Sequence, residues 1–247
     1  MDTQLREAAK EFMVRYGGDT FPSLFRSAKG CVVTDDTGRE ILDFTSGQMC
    51  ATIGHNHPAI VQAVQEAGEK AYHMFSGMIP EVVARLAQTM ARDWMPQGLS
   101  KSIFINTGSE SNEVALRMAK MYTQGFEILA VGGSWHGVTG AASAASFASD
   151  RKGYGVHVPG VFVMPEPNMY RPYIQGMDGE ASALACLEIG LKMYDMASTG
   201  RRSAIIIEPI ISAGGVLVPP KSYMQALRQP LLQAWVLEIL GHGSPGP

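Results

Sequence analysis

Asn106-Thr107-Gly108-Ser109-Glu110-Ser111-Asn112 stands where a short apolar run, Ser102-Ile103-Phe104-Ile105, gives way to a stretch with helical spacing from Ser109 to Tyr122. The first amides of a helix have no internal acceptor, and the helix dipole makes that end partly positive. Glycine at 108 lets the backbone approach an anion closely, and the hydroxyls of Thr107 and Ser109 add hydrogen bonds. In outline this is a phosphate site. The same residues also read as an ordinary helix start, with Ser109 as N-cap and Asn112 in place of the usual capping-box acid.

Outward from this point the pattern is strand, loop, helix, repeated. The segment 102–105 is expected to be the first strand. The helix after it has Val114, Ala115, Met118, Met121 and Tyr122 as its expected buried stripe. Ile128–Val131, Val161–Met164 and Ala204–Ile207 are further apolar runs, and Ala181 to Met193 is a helix between the last two. Apolar strands without alternation, separated by helices, predict an α/β fold with a mostly parallel sheet covered on both faces. Upstream, 3–15 reads as a helix ended by Arg15-Tyr16-Gly17-Gly18. Residues 30–44 read as a hairpin turning at Asp35-Asp36-Thr37-Gly38. Helices are expected from Pro58 and over Glu81 to Met90. Downstream, Gln229-Pro230 interrupts a helix over Ser222 to Arg228, and Trp235-Val236-Leu237 reads as either strand or helix.

Trp135, in Gly132-Gly133-Ser134-Trp135-His136-Gly137, follows the second of these strands. Ligands of open α/β sheets bind at that C-terminal edge. An indole can stack on a flat ring, or it can serve as a core tryptophan. The neighbouring glycines favour a shaped loop. The run nearly fits a nucleophile elbow, but His136 stands where glycine is required. No Walker loop or dinucleotide fingerprint occurs. His55-Asn56-His57 reads as a turn with structural histidines, since nothing beside it completes a metal set. No metal site is expected. Tyr154, Tyr170 and Tyr173 mark an aromatic loop that rims a pocket or packs.

The 247 residues carry a net charge of −3, 46% hydrophobic and 17% charged residues, which excludes wholesale disorder. No basic tract suggests nucleic acid, and no apolar run is long enough for a membrane span. Three dispersed cysteines, Cys31, Cys50 and Cys186, form neither a disulfide framework nor a zinc pattern, so a reducing, cytoplasmic setting is expected. The acidic N-terminus lacks the features of a signal or transit peptide.

Taken together, Arg15-Tyr16-Gly17-Gly18, Leu42-Asp43-Phe44-Thr45-Ser46-Gly47-Gln48-Met49, Gly54-His55-Asn56-His57-Pro58, Phe75-Ser76-Gly77-Met78, Thr107 through Glu113, Ser134-Trp135-His136-Gly137 and Glu208-Pro209-Ile210 resemble the class III aminotransferases. These are pyridoxal-phosphate enzymes of fold type I. The tryptophan before His-Gly and the Ser-Gly-Gln-Met run most resemble the 2,2-dialkylglycine decarboxylase branch. The likeness runs from about residue 12 to Arg228.

The resemblance implies roles. Gly108 and Ser109, with Thr107, would hold the cofactor phosphate, and Trp135 would stack on its pyridine ring. Gln48 would face the departing carboxylate of a small amino acid substrate, with a 2-oxo acid as amino acceptor. Glu208 and Ser212 would line the substrate side. Glu208 also reads as a buried acid paired with an arginine. Met74 and Ser76 match a stretch that helps hold an alkali cation in that branch. The family's organisation implies an N-terminal arm over 1–47, a partial cofactor domain over 48–229, a divergent tail over 230–247 and assembly as a homodimer or heterodimer.

The departure from the family is expected to matter. The family's Asp-Glu-Ala-Gln-Thr-Gly motif, its cofactor-bearing lysine, its substrate arginine and its C-terminal domain have no counterpart in these 247 residues. Lys221, after Pro219-Pro220, reads as a solvated lysine. No residue is therefore assigned a catalytic role. The chain is expected to be a truncated family member with little or no turnover by itself, as an interruption of the coding sequence near Arg228 would produce. The alternative is a non-catalytic partner subunit of a longer homologue. By the resemblance, the 102–105 strand is an edge strand whose only neighbour comes later in the family than anything here.

Overall fold

The structure is a computed structural model. It describes residues 2–14, 21–70, 73–148, 155–231 and 236–239, with the side chains of 2, 48–49, 229–231 and 236–239 not described. The Arg15–Gly18 stretch, Tyr154, Trp235 and the close of the tail lie outside the described residues. Two compact units divide the chain, Met1–Ser102 and Ile103–Pro247.

The first unit holds α1 (Asp2–Phe12), the strands β1 (Phe25–Lys29), β2 (Val32–Asp35) and β3 (Glu40–Leu42), then α2 (Ser46–Met49), α3 (Pro58–Lys70) and α4 (Glu81–Thr89), which continues as a π turn over Met90–Trp94. The three strands form an antiparallel sheet in the order β1-β2-β3. Its β2–β3 hairpin turns where the sequence predicts, because the buried Asp35 carboxylate accepts the Thr37 amide (2.9 Å), the Thr37 hydroxyl (2.6 Å) and the Arg39 amide (3.0 Å). The Thr37 hydroxyl leads in holding that carboxyl down at about 2, against the opposing pull of burial. Gly38, at φ 85°, supplies the left-handed residue of the turn. His55-Asn56-His57 is indeed a turn: Asn56 has φ 50°, His55 Nε2 meets Asp43 at 2.7 Å, and His57 Nδ1 accepts the Ala59 amide at the start of α3. None of the described residues of α3 or α4 is buried.

The second unit is built from α5 (Gly108–Thr123), β4 (Glu127–Val131), α6 (Gly140–Ala144), β5 (Val161–Met164), α7 (Gly179–Ala197), β6 (Arg202–Ile207), α8 (Lys221–Leu231) and β7 (Val236–Ile239). Its sheet is parallel, in the order β5-β4-β6-β7. Alternate residues feed opposite faces. Leu129, Val131, Ile205 and Ile207 pack with α7 and α8 through Leu187, Tyr194, Tyr223 and Leu227. Ile128, Ala130, Ala204 and Ile206 pack with α5 and α6 through Leu116, Ala119, Ala141 and Ala145. Both faces are covered, so the strands need no polar side, which is why they read as unbroken apolar runs. Replacing Ile205 with alanine is expected to cost about 3 kcal/mol in a denaturant melt.

Three expectations are corrected. Residues 102–105 form no strand: no described strand pairs with them, and Ile103, Phe104 and Ile105 remain 61%, 42% and 41% exposed. A strand exists only through its partner, and here none is described. The buried face of α5 is Asn112, Leu116 and Ala119, while Met118, Met121 and Tyr122 point to solvent. The helix is apolar on two sides, and the small Ala119 lets it approach the sheet where the larger residues would not. Finally, α8 runs through Pro230 to Leu231. A proline there forfeits one backbone donor to the preceding turn, and the helix ends one residue later. The ambiguous stretch after it supplies β7, which extends the sheet alongside β6.

Candidate functional site

The C-terminal edge of the parallel sheet and the start of α5 bring together most of the residues singled out from sequence. Thr107 is the N-cap of α5, with φ −134° and ψ 157°, and it forms a complete capping box with Glu110. Its hydroxyl accepts the Glu110 amide at 3.2 Å, and Glu110 Oε2 accepts the Thr107 amide at 3.0 Å. The cap is therefore Thr107 with Glu110, not Ser109 with Asn112. Gly108 and Ser109 form the first turn. Neither of their amides has an acceptor among the described residues, as helix geometry dictates.

Ser109 has a second function. Its Oγ accepts the Val138 amide at 3.1 Å, which fastens the loop after β4 to the start of α5. That loop carries Trp135, which is half-buried, between the buried Ser134 and His136. Four other side chains set its path. Asn112, on the buried face of α5, donates to the His136 carbonyl at 2.5 Å. Ser146 Oγ accepts the amides of His136 (2.8 Å) and Gly137 (3.2 Å). Glu113 Oε1 accepts the Ala142 amide at 3.0 Å and ties α6 to α5. Glu208 Oε1 accepts the Trp135 amide at 2.6 Å.

Glu208 ends β6 and is buried. Its Oε2 accepts the Ser212 amide (3.3 Å) and hydroxyl (3.2 Å). The arginine partner weighed from sequence is not found among the described residues. The carboxylate is satisfied by loop groups instead.

Gln48 falls in α2 of the other unit, and its side chain is not described. The turn that carries it is organised by Asp43, which accepts the Thr45 amide (2.8 Å), the Thr45 hydroxyl (2.6 Å) and the Gly47 amide (3.0 Å), besides its contact with His55. The Thr45 hydroxyl first, then His55, hold the Asp43 carboxyl far below the usual carboxylate range. Tyr170 and Tyr173 are exposed. The Tyr173 hydroxyl donates to Glu166 at 2.7 Å, and desolvation together with that bond pushes its pKa to about 12. Lys221 is exposed at the start of α8, as the sequence suggests. No group of three or more metal-ligating side chains occurs among the described residues, and no described helix is long and apolar enough to cross a membrane.

Asn112, Glu113 and Ser146 were not foreseen. The one signal for Asn112 is its spacing: it shares the i, i+4, i+7 face of Leu116 and Ala119, where a polar residue needs a buried partner. Asn112→Ala removes the buried bond to the His136 carbonyl and is expected to cost about 1 kcal/mol, measured as a lowered denaturation midpoint.

This arrangement suits a ligand with an anionic end and a flat ring. Two open amides lie at an exposed helix start, which suits an anion, and an indole sits on a loop pinned to that same helix start. The class-III aminotransferase family model matches residues 13–237. An uncharacterized aminotransferase of Schizosaccharomyces pombe is 41% identical over 238 residues, covering 96% of this chain and 53% of its own length. The structure of a taurine:2-oxoglutarate aminotransferase from Bifidobacterium kashiwanohense, in complex with pyridoxal phosphate and glutamate, superposes with a TM-score of 0.87 at 28% identity, over 96% of this chain and 55% of that one. A thermostable (S)-enantioselective omega-transaminase from Thermomicrobium roseum gives a TM-score of 0.87 at 25% identity, over 96% and 56%. The chain spans about half the length of the curated relatives it matches. Fold type I and pyridoxal phosphate as the family's cofactor follow from these matches. The chain belongs to the class-III aminotransferases.

Proposed function

We propose that this chain binds pyridoxal phosphate at the C-terminal edge of its parallel sheet, as part of an aminotransferase acting on a small amino acid and a 2-oxo acid. The observation that carries the reading is the 3.1 Å bond from the Val138 amide to Ser109 Oγ, which ties the Trp135 loop to the helix start. The amides of Gly108 and Ser109, flanked by Thr107, bind the phosphate, and Trp135 covers the ring. When bound, the cofactor draws in the electron pair of a bond broken at the substrate's Cα. Ser212 contacts substrate, and Glu208 supports the same side.

Within the family, Trp135 ahead of His136-Gly137 and the run Ser46-Gly47-Gln48-Met49 favour a 2,2-dialkylglycine decarboxylase-like reaction, in which loss of carbon dioxide accompanies amino transfer. The 247 residues by themselves are proposed to bind the cofactor and turn over little. A second reading, a partner subunit of a longer homologue in a cytoplasmic dimer, is favoured by the exposed apolar stripes of α3 (Ile60, Val64) and α4 (Val82, Leu86).

The test is a titration of the purified chain with pyridoxal phosphate, followed by tryptophan emission. Saturable quenching that falls by about half or more in Trp135→Phe supports the site. Absence of quenching defeats it. Borohydride trapping on one defined lysine, with carbon dioxide release or amino exchange, would overturn the inactive reading. Co-purification with a longer homologue supports the partner reading.

A further inference from the structure

Glu208 is a carboxylate only 1% exposed, and no cation pairs with it among the described residues. Burying a charge is costly unless hydrogen bonds replace the water it loses. All three recorded bonds go to two loops at the same sheet edge: Oε1 to the Trp135 amide, 73 residues back, and Oε2 to the Ser212 amide and hydroxyl, four residues on. The loops also touch directly beside this carboxylate. A β-carbon on Gly214 would lie 2.7 Å from the Gly133 carbonyl oxygen and 3.0 Å from Gly133 Cα. The two loops therefore share one position, and Glu208 is the side chain that spans them.

We propose that Glu208 is a positioning residue of this site, acting through the Trp135 main chain and through Ser212 rather than by contact with the reacting atoms. This inference rests on the cofactor reading above. One Glu208 oxygen sets the depth and tilt of the indole that covers the ring. The other accepts the hydrogen bond that the Ser212 hydroxyl donates, so Ser212 Oγ is left as an acceptor for any further partner. The substrate group that meets Ser212 is then an N–H or O–H donor, such as an ammonium or hydroxyl. A carboxylate there would face both the lone pairs of Ser212 and the charge of Glu208. Ser212 thus selects for a donor group.

The experiment uses the full chain and its Glu208→Ala, Glu208→Gln and Trp135→Phe variants. Amide hydrogen exchange at Trp135 is measured without ligand, and pyridoxal phosphate is then titrated by tryptophan quenching. Glu208→Ala is expected to speed exchange at Trp135 about tenfold or more and to weaken the titration by a similar factor. Glu208→Gln keeps an oxygen that accepts the Trp135 amide, while its NH2 faces Ser212 and can donate to Oγ but not accept the Ser212 amide, so Trp135 exchange is expected within about threefold of the parent. A folded Glu208→Ala with parental exchange and titration overturns the proposal. So does a Glu208→Gln whose Trp135 amide exchanges about tenfold faster than the parent's, and that variant decides the matter if Glu208→Ala fails to fold. If the parent shows no quenching that Trp135→Phe removes, the cofactor reading fails. The exchange result then judges the tether by itself.

Discussion

Gly137→Ala is expected to destabilise the second unit by about 3 kcal/mol or more and to abolish quenching by pyridoxal phosphate. Two costs combine. Gly137 has φ +131°, a conformation that strains any residue with a β-carbon. That β-carbon would also lie 2.8 Å from Ser109 Cβ and 2.9 Å from Ser109 Cα. Turning the serine side chain moves only its Oγ, so both contacts remain and the loop and the start of α5 must part. The bonds from Val138 to Ser109 and from Gly137 to Ser146 then lengthen together. The paired variant Ser109→Gly/Gly137→Ala removes the side-chain clash and leaves the backbone one, so a double-mutant cycle is expected to return only part of the loss. A Gly137→Ala protein with the parental denaturation midpoint and titration would show that the loop is not seated on the helix as described.

The same region marks the boundary of what sequence can reveal. Val161–Met164 is read from its apolar run with the bounds the structure gives, and Ile128–Val131 and Ala204–Ile207 lie within β4 and β6. β4 and β6 are covered on both faces, so hydropathy alone marks them, and β5 is as apolar although Val163 stays half exposed. The loop–helix junctions at Thr107 and Trp135 are legible because glycines and hydroxyls cluster there. The tethers are not. Asn112 reaches His136 across 24 residues and Glu208 reaches Trp135 across 73, and neither pairing leaves a local periodicity. The 102–105 run misleads for a related reason: its residues have strand character, but a strand also requires a neighbour. On α5 the larger apolar residues suggest one buried face, and the small Ala119 decides for another.

Glu127 carries the second large effect. It opens β4, at the end of the sheet away from Trp135, with its carboxylate buried. Oε2 accepts the hydroxyls of Tyr194 (2.5 Å) and Ser198 (2.6 Å), and Oε1 accepts the Thr199 amide and hydroxyl, both at 2.7 Å. One side chain thus joins the start of β4 to the end of α7 and the turn into β6. Burial pulls its pKa upward, but the bonds from Ser198, Tyr194 and Thr199 outweigh it and bring the group down to about 2. Burial first, then the bond to Glu127, raises the Tyr194 pKa, so that hydroxyl stays a donor across the working range. A carboxyl whose folded pKa lies below its unfolded value of 4.5 stabilises the fold fully above pH 4.5. That contribution is lost as the pH falls through about 2, at up to about 1.4 kcal/mol per pH unit for the one proton involved. Glu127→Gln is expected to flatten the pH dependence of the denaturation midpoint between pH 4.5 and 2 relative to the parent. Glu127→Ala removes the shared acceptor of the Tyr194, Ser198 and Thr199 bonds and is expected to cost about 3 kcal/mol at neutral pH. Parallel midpoint-versus-pH curves for the parent and Glu127→Gln would mean that burial and the hydrogen bonds cancel and leave this carboxyl with its unfolded pKa, and the joint between β4 and α7 would then owe nothing to its charge.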